Sequence, residues 1–463
     1  MPGRLLARRT PWIGLGVALV LVAAAFAVPP LTGWQVYARA PRSASDLGAP
    51  PLHGVWDPKL FGPGTIPAIL VAWVGWRWFA RWVVSARWWQ LQSVGYVLGL
   101  MWLFSLALVD GPEGLSRVLG HSSEYLESAR DVGSIGSLLH HYVDRMPIDS
   151  PGAWPTQPAG HPPLALLLFV ALVRVGLGGS LAAGCVVTVI AALVAPLVLS
   201  TVRTLGAEDL ARRVAPFLVL TPAAVFMAVS ADAVFSAVAA GGLALLARGA
   251  TAQRLTWVGW SAAAGLVLGA GVMMSYGLPL IGLVCLAVLV TARSWRPLPV
   301  AALAALLVVI GFALAGFSWW EAYPVLHDRY WAGVAAVRPA AYWMWGDLAL
   351  LAISAGPLVY AGIAVLVPRV RGLAGVHHLH HDLRPAWTPA ARAVVLLAAA
   401  GVLCVVVADV SRMSKAEVER IWLPFMPWIT LAVALLPQKW RRWGLLGQLV
   451  WALAVQQLFY TSW

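Results

Sequence analysis

The stretch His161–Leu177, HPPLALLLFVALVRVGL, decides how everything after it is read. Its apolar part, Leu164–Leu177, is shorter than the roughly 20 residues that cross a bilayer as a helix. If it crosses nonetheless, every later loop changes sides. If it rests against the surface, the arginine-rich turns all fall on the side of the N-terminus. Those turns are Arg77/Arg81/Arg87, Arg203/Arg212/Arg213, Arg248/Arg254, Arg293/Arg296, Arg369/Arg371 and Lys439/Arg441/Arg442. In that arrangement one side holds roughly 20 basic residues against about 3 acidic ones, the asymmetry expected of a cytoplasmic face. The run is therefore read as a juxtamembrane or re-entrant helix, with the N-terminus cytoplasmic and the C-terminus outside.

Composition sets the class. Hydrophobic residues make up 60% of the 463 positions and charged residues 11%, against about 25% charged in soluble proteins, and the mean hydropathy is +0.79. This is the composition of an all-α polytopic membrane protein. Spanning helices, about 13 in number, are expected at Trp12–Val28, Ile66–Val84, Val94–Val109, Leu181–Val202, Ala215–Val229, Ala233–Ala247, Trp257–Met274, Leu278–Val290, Val300–Phe317, Leu348–Val367, Val394–Ala408, Leu423–Leu436 and Leu445–Leu458. The N-terminal run is long enough to be retained as an anchor rather than cleaved as a signal peptide. Three parts follow: residues 1–109, the first helices and first outer segment; 110–180, an acidic outer loop with juxtamembrane helices; and 181–463, a bundle with outer loops at 318–347 and 409–422. Cys185, Cys285 and Cys404 sit in apolar runs, which predicts no disulfide. The net charge of +13 is explained by topology and lipid headgroup contact, so no nucleic-acid partner is required.

Water and chemistry can meet in the outer segments. In His121–Pro147, HSSEYLESARDVGSIGSLLHHYVDRMP, Glu124 and Asp131 lie seven residues apart, near two helical turns, and would share a face if this piece is one helix. Both are candidates for a general base or a divalent-cation ligand, Mg or Mn. Solvated charges paired with Arg130 or Arg117 are the plainer reading. His161 enters the apolar run as a cap or interfacial hydrogen bonder. Asp232 stands at the crest of a tight hairpin, where an acid is costly unless it faces water or a cation, although capping the next helix is compatible with the same position. The loop at 318–347 sets Glu321, Tyr323, His327, Asp328 and Arg329 among tryptophans and tyrosines, a mixture that anchors at an interface or stacks on sugar rings. In DVSRMSKAEVERIWLPFMPW, Asp409–Trp428, the residues Arg412, Lys415, Glu419 and Arg420 lie beside the membrane, where the cations can hold a phosphate. The string HHLHHD, His377–Asp382, has metal-binding character but falls on the cytoplasmic side and is read as a loop. Walker A, GxGxxG and HExxH motifs are missing, which leaves ATP-driven transport, dinucleotide chemistry and zincin proteolysis without support.

These features together resemble the GT-C superfamily of integral membrane glycosyltransferases, the actinobacterial mannosyl- and arabinosyltransferases in particular. The similarity rests on EYLESARDV in the first large outer loop, the HPPL helix entry, Ala211-Arg212-Arg213 in a cytoplasmic turn, Ser230-Ala231-Asp232 in an outward hairpin and EVERIWLPFMPW near the C-terminus. It spans roughly residues 110 to 428 and differs in two respects: an additional hairpin precedes the acidic loop, and the usual adjacent acidic pair is more widely spaced. The resemblance implies transfer of a sugar from a polyprenyl-phosphate donor to a glycan or lipid acceptor on the outer face of the plasma membrane. Glu124 or Asp131 would be the base, Asp232 would orient the acceptor or a divalent cation, and Arg412, Lys415 and Arg420 would neutralise the leaving phosphate. Two other classes stay open, a transporter or flippase for a lipid-linked sugar and a noncatalytic scaffold.

Overall fold

The computed structural model describes residues 2–39, 48–373 and 388–461, so His377–Asp382 lies outside the described residues. The chain is mostly helical. Among the described residues its sheet is a single antiparallel pair, Gly54–Trp56 against Phe459–Thr461.

Among the described residues six helices are long and apolar enough to cross a membrane: Arg9–Thr32, Trp88–Asp110, Ser180–Thr204, Ala231–Thr251, Pro297–Leu314 and Pro389–Ser411. Their outward surfaces are hydrocarbon. On Pro297–Leu314 the side chains of Leu303, Leu306, Leu307 and Leu314 are all exposed, an arrangement that water penalises and lipid accepts. The chain is a membrane protein of helical build. The thirteen expected spans are not confirmed: six helices pass among the described residues, or seven if one bent pair is counted as a single span. Most of the other segments are shorter or broken helices, and Gln438–Leu458 is long enough but not apolar enough.

Two breaks have readable causes. The segment expected to span Leu348–Val367 is two helices, Ala340–Ser354 and Leu358–Gly372, bent by 111°. Gly356 lies between them at φ +85°, and a Cβ there would collide with Gln448. Pro357 then removes a backbone donor. Gln448 spans the gap, donating to the Ala355 carbonyl at 2.9 Å and accepting from the Leu358 amide at 3.3 Å. The segment expected at Ala215–Val229 also divides: the Glu208–Val219 helix stops ahead of Thr221-Pro222, and Ala224–Met227 is a separate turn. The freed Thr221 carbonyl accepts from the Trp102 indole at 3.0 Å.

The Leu164–Leu177 run forms one short helix. Its helix, Pro163–Arg174, has 12 residues and is about 18 Å long, well short of the roughly 30 Å hydrocarbon core. It packs along the six-residue helix Tyr125–Arg130. Phe169 stacks on Tyr125 at 4.9 Å, and beyond the helix the Gly178 carbonyl accepts from Arg130 at 2.8 Å. The chain thus enters and leaves the run beside the same short helix.

The helix Gln438–Leu458 links the two ends of the molecule. It has 21 residues, or about 31 Å of rise. At its far end Asp57 and Lys59 donate backbone hydrogen bonds to Leu458 and Gln457, and Lys59 pairs with Asp110. Its first turn lies among Arg77, Arg81, Arg212 and Arg213. The strand pair and the loops following residues 48 and 110 therefore gather at one end, and arginine-rich turns at the other.

Candidate functional site

Near the strand-pair end, side chains from five separated segments meet around Arg420. The short helix Val418–Ile421 presents its guanidinium, which donates to Asp232 Oδ2 at 2.7 Å, to Gln157 Oε1 at 3.4 Å and to Glu417 Oε2 at 3.1 Å. Glu417 also faces Arg338 at 3.5 Å and His53 at 3.9 Å. Gln157 also lies beside Glu124. Glu124, Asp232 and Arg420 are 6%, 4% and 6% exposed, so these charges are held by each other rather than by water.

Local structure explains each placement. Asp232 lies in the first turn of Ala231–Thr251, whose N-cap Ser230 accepts from the Asp232 amide at 3.2 Å. This frees the carboxylate to reach Arg420, and an anion there also suits the positive end of the helix. Glu124 is the extended residue before Tyr125–Arg130. Gln157 is fixed from its backbone, its amide donating to Ser123 at 2.9 Å and its carbonyl meeting His161 Nδ1 at 2.9 Å. Ala416 and Glu417 have φ of +67° and +61°. Two consecutive non-glycine residues in this region cost on the order of 1–2 kcal/mol each, a strain of the kind that collects at functional sites.

The electrostatics separate the carboxylates. Burial pushes Glu124 up to about 8, opposed by Arg420 and reinforced by the negative Asp232 and Glu417. Burial also acts upward on Glu417, but His53, Arg420 and Arg338 outweigh it and hold the group well below the usual carboxylate range. His53 is itself driven down to about 4, chiefly by burial, so at neutral pH the two arginines do this work. His161 is lowered by burial too and stays neutral. At neutral pH one carboxyl is thus poised to exchange a proton while its neighbour is fixed as an anion.

Glu124, Asp232, Arg420 and Glu419 of the expected set come together, the last accepting from the His53 amide at 3.2 Å. His161 borders them, its ring 5.9 Å from Tyr125 and 5.4 Å from Phe235. Asp131 does not join. The helix between it and Glu124 covers only Tyr125–Arg130, with Glu124 at the N-cap and Asp131 at the C-cap, so the shared face assumed for one continuous helix does not form. Asp131 is exposed and lines a separate cavity of about 420 Å³ with Ser134, His141 and Arg145.

Lys415 is buried and committed to the carbonyls of Ala335 and Arg338, with Trp331 beneath it. Arg412 is exposed at the end of the Pro389–Ser411 helix, outside the cluster. Glu321, Tyr323, His327 and Asp328 are exposed on the helix Trp319–Ala332, where Tyr323 stacks on Trp319 at 5.3 Å. Arg329 is used internally, donating to the carbonyls of Met146 and, at 2.9 Å, Trp154.

Among the described residues no three His, Cys, Asp or Glu side chains form a metal-binding group. With Asp131 apart and the Arg420 guanidinium between Asp232 and Glu417, the expected carboxylate ligand set for Mg or Mn does not fit, and no chemistry is routed through a cation. Gln157, Glu417, Arg338 and His53 are the members that residue patterns did not single out. No protein-family model matches the chain, and no curated protein matches it in sequence.

Proposed function

We propose that this chain is a membrane glycosyltransferase of the GT-C kind. It would move mannose or arabinose from a polyprenyl-phosphate donor to a glycan, lipoglycan or protein acceptor on the outer face of the cytoplasmic membrane. The observation that carries the reading is the meeting of Glu124, Asp232 and Arg420, a carboxyl poised near neutral pH beside a fixed guanidinium. In the proposed reaction Glu124 takes the proton of an acceptor hydroxyl as that oxygen bonds to the anomeric carbon. The bond from that carbon to the phosphate oxygen breaks with inversion, its electron pair leaving on the phosphate. Arg420 neutralises the departing phosphate, the task for which a fixed donor is best suited. Asp232 and Glu417 position Arg420, and a base with a pKa near the working pH is the efficient choice. Since the cluster is closed to solvent, the strained segment carrying Ala416 and Glu417 would open to admit substrate.

The test is transfer from synthetic short-chain polyprenyl-phosphate mannose or arabinose by the purified protein. Glu124→Gln should lower turnover by about 10²–10⁴-fold while leaving donor binding intact. Turnover at the wild-type rate in this variant would remove Glu124 as the base, and no turnover by the wild type on either donor would count against the activity.

A second reading, a carrier for a lipid-linked sugar, draws on the 111° break between Ser354 and Leu358, because transporters place broken helices at their sites. Movement of the lipid-linked sugar across reconstituted vesicles without any acceptor would favour it.

A further inference from the structure

At the end of the molecule opposite the Arg420 cluster lies a cavity of about 480 Å³ between three segments far apart in sequence. Arg77 and Arg81 enter from the first, Arg213 from the second, and Arg441 and Arg442 from the third, with Asp209 the acid among the lining residues. Arg212, also at the wall, is spent elsewhere: it holds Glu208 and donates to the carbonyls of Val83 and Ala86, both at 2.8 Å. The side chains of Arg77, Arg213 and Arg442, by contrast, have no hydrogen-bond acceptor or ion-pair partner among the described residues. Burial and the neighbouring Arg213 both weaken Arg441's hold on its proton, the mark of like charges placed together. Apart from Gln438 the rest of the lining is apolar, with Trp76, Pro216, Phe217 and Leu445, and the Trp76 indole is pinned to the Arg442 carbonyl at 3.2 Å.

Five guanidinium groups around one acid repel each other unless an anion sits among them, and guanidinium binds phosphate oxygens in pairs. A single carboxylate would leave most of that charge unmatched. An apolar wall beside the basic rim suits an anion that carries hydrocarbon. We infer that this cavity binds a ligand bearing two phosphate groups, as found in a lipid headgroup with two phosphodiesters or in a free diphosphate. The site is separate from the Arg420 cluster and does not depend on the transfer reaction.

The full-length protein, stripped of lipid and placed in nanodiscs, tests this. Wild type in phosphatidylcholine discs doped with cardiolipin should show a higher Tm than in pure phosphatidylcholine discs, and native mass spectrometry should find cardiolipin retained. Inorganic pyrophosphate added to pure phosphatidylcholine discs is the soluble arm. A response to pyrophosphate but not to cardiolipin supports the site with a soluble source, and the reverse supports the lipid. The triple variant Arg77→Gln/Arg213→Gln/Arg442→Gln should lose retention by about tenfold or more, equivalent to at least one charge-assisted hydrogen bond. Replacing the same three residues by Lys should restore part of it. Should the Gln variant fail to fold, the wild-type arms decide alone. No response of the wild type to either ligand, or undiminished binding by a folded Gln variant, overturns the inference.

Discussion

The two charged regions follow opposite rules. Around Arg420, cations and carboxylates are buried together and each is held by a partner of opposite sign. At the arginine cavity the charge is nearly all of one sign, open to solvent, and three side chains have no hydrogen-bond or ion-pair partner among the described residues. A buried charge must be matched by the protein itself, because the desolvation penalty is several kcal/mol per ion. A charge at the edge of a bilayer is matched by water, phosphate or counterions and can be left open. The first region is therefore expensive to disturb, whereas the second is tolerant and waits on an outside anion.

The comparison breaks most sharply on sidedness, an all-or-none effect. With Cys185, Cys285 and Cys404 replaced by Ala, an impermeant maleimide added to intact cells should label Asp131→Cys and leave Arg213→Cys unlabelled until the membrane is opened. Labelling of both from outside would mean the two ends do not face opposite compartments. The next largest effect is on stability. Arg420→Met strands Asp232 and Glu417 without their shared partner and should cost about 3–5 kcal/mol in denaturant unfolding, along with all transfer activity.

Glu124→Gln should lower transfer by about 10²–10⁴-fold, the usual contribution of a positioned base, with the fold retained on size exclusion. The same variant sharpens the pH dependence. Glu124 binds its proton with a pKa of about 8 in the folded state against 4.5 when unfolded. Between those values the native state holds a proton that the unfolded state lacks, so stability falls as pH rises through the window and the loss is complete above about 8. Wild type should therefore lose stability relative to Glu124→Gln between pH 5 and pH 8. A constant difference across that range would show that the carboxyl is not held protonated. The smallest effects are expected from Arg213→Gln and Asp131→Asn. Both residues are exposed, and each change should move stability by less than about 0.5 kcal/mol; Asp131→Asn should also leave transfer near the wild-type rate.

Much of the fold was legible because hydrocarbon length and charge asymmetry are properties of contiguous sequence. The shortness of the Pro163–Arg174 helix was legible from the length of the apolar run Leu164–Leu177. The divided helices were read as single spans, because the apolar runs around Gly356-Pro357 and Thr221-Pro222 outweighed the punctuation that ends helices. Within the cluster, Glu124, Asp232 and Arg420 stood out as polar residues in unlikely surroundings. Gln157 and Glu417 did not. Gln157 is an ordinary polar residue in a turn, and Glu417 is one of two acids in AEVER whose difference in partners depends on the left-handed backbone at Ala416 and Glu417.

By itself the sequence determined that this chain belongs in a bilayer, which stretches are apolar enough to lie there, and that its charges divide into acidic and arginine-rich loops. All of these depend on composition and on neighbours a few residues away. Tertiary structure alone decided which charges meet: Arg420 finds Asp232 across 188 positions and Gln157 across 263, and Asp131, seven residues from Glu124, is left outside. Pairing of buried charges is set by distance in space, and the backbone turns at the ends of one six-residue helix were enough to send two nearby carboxylates to different environments.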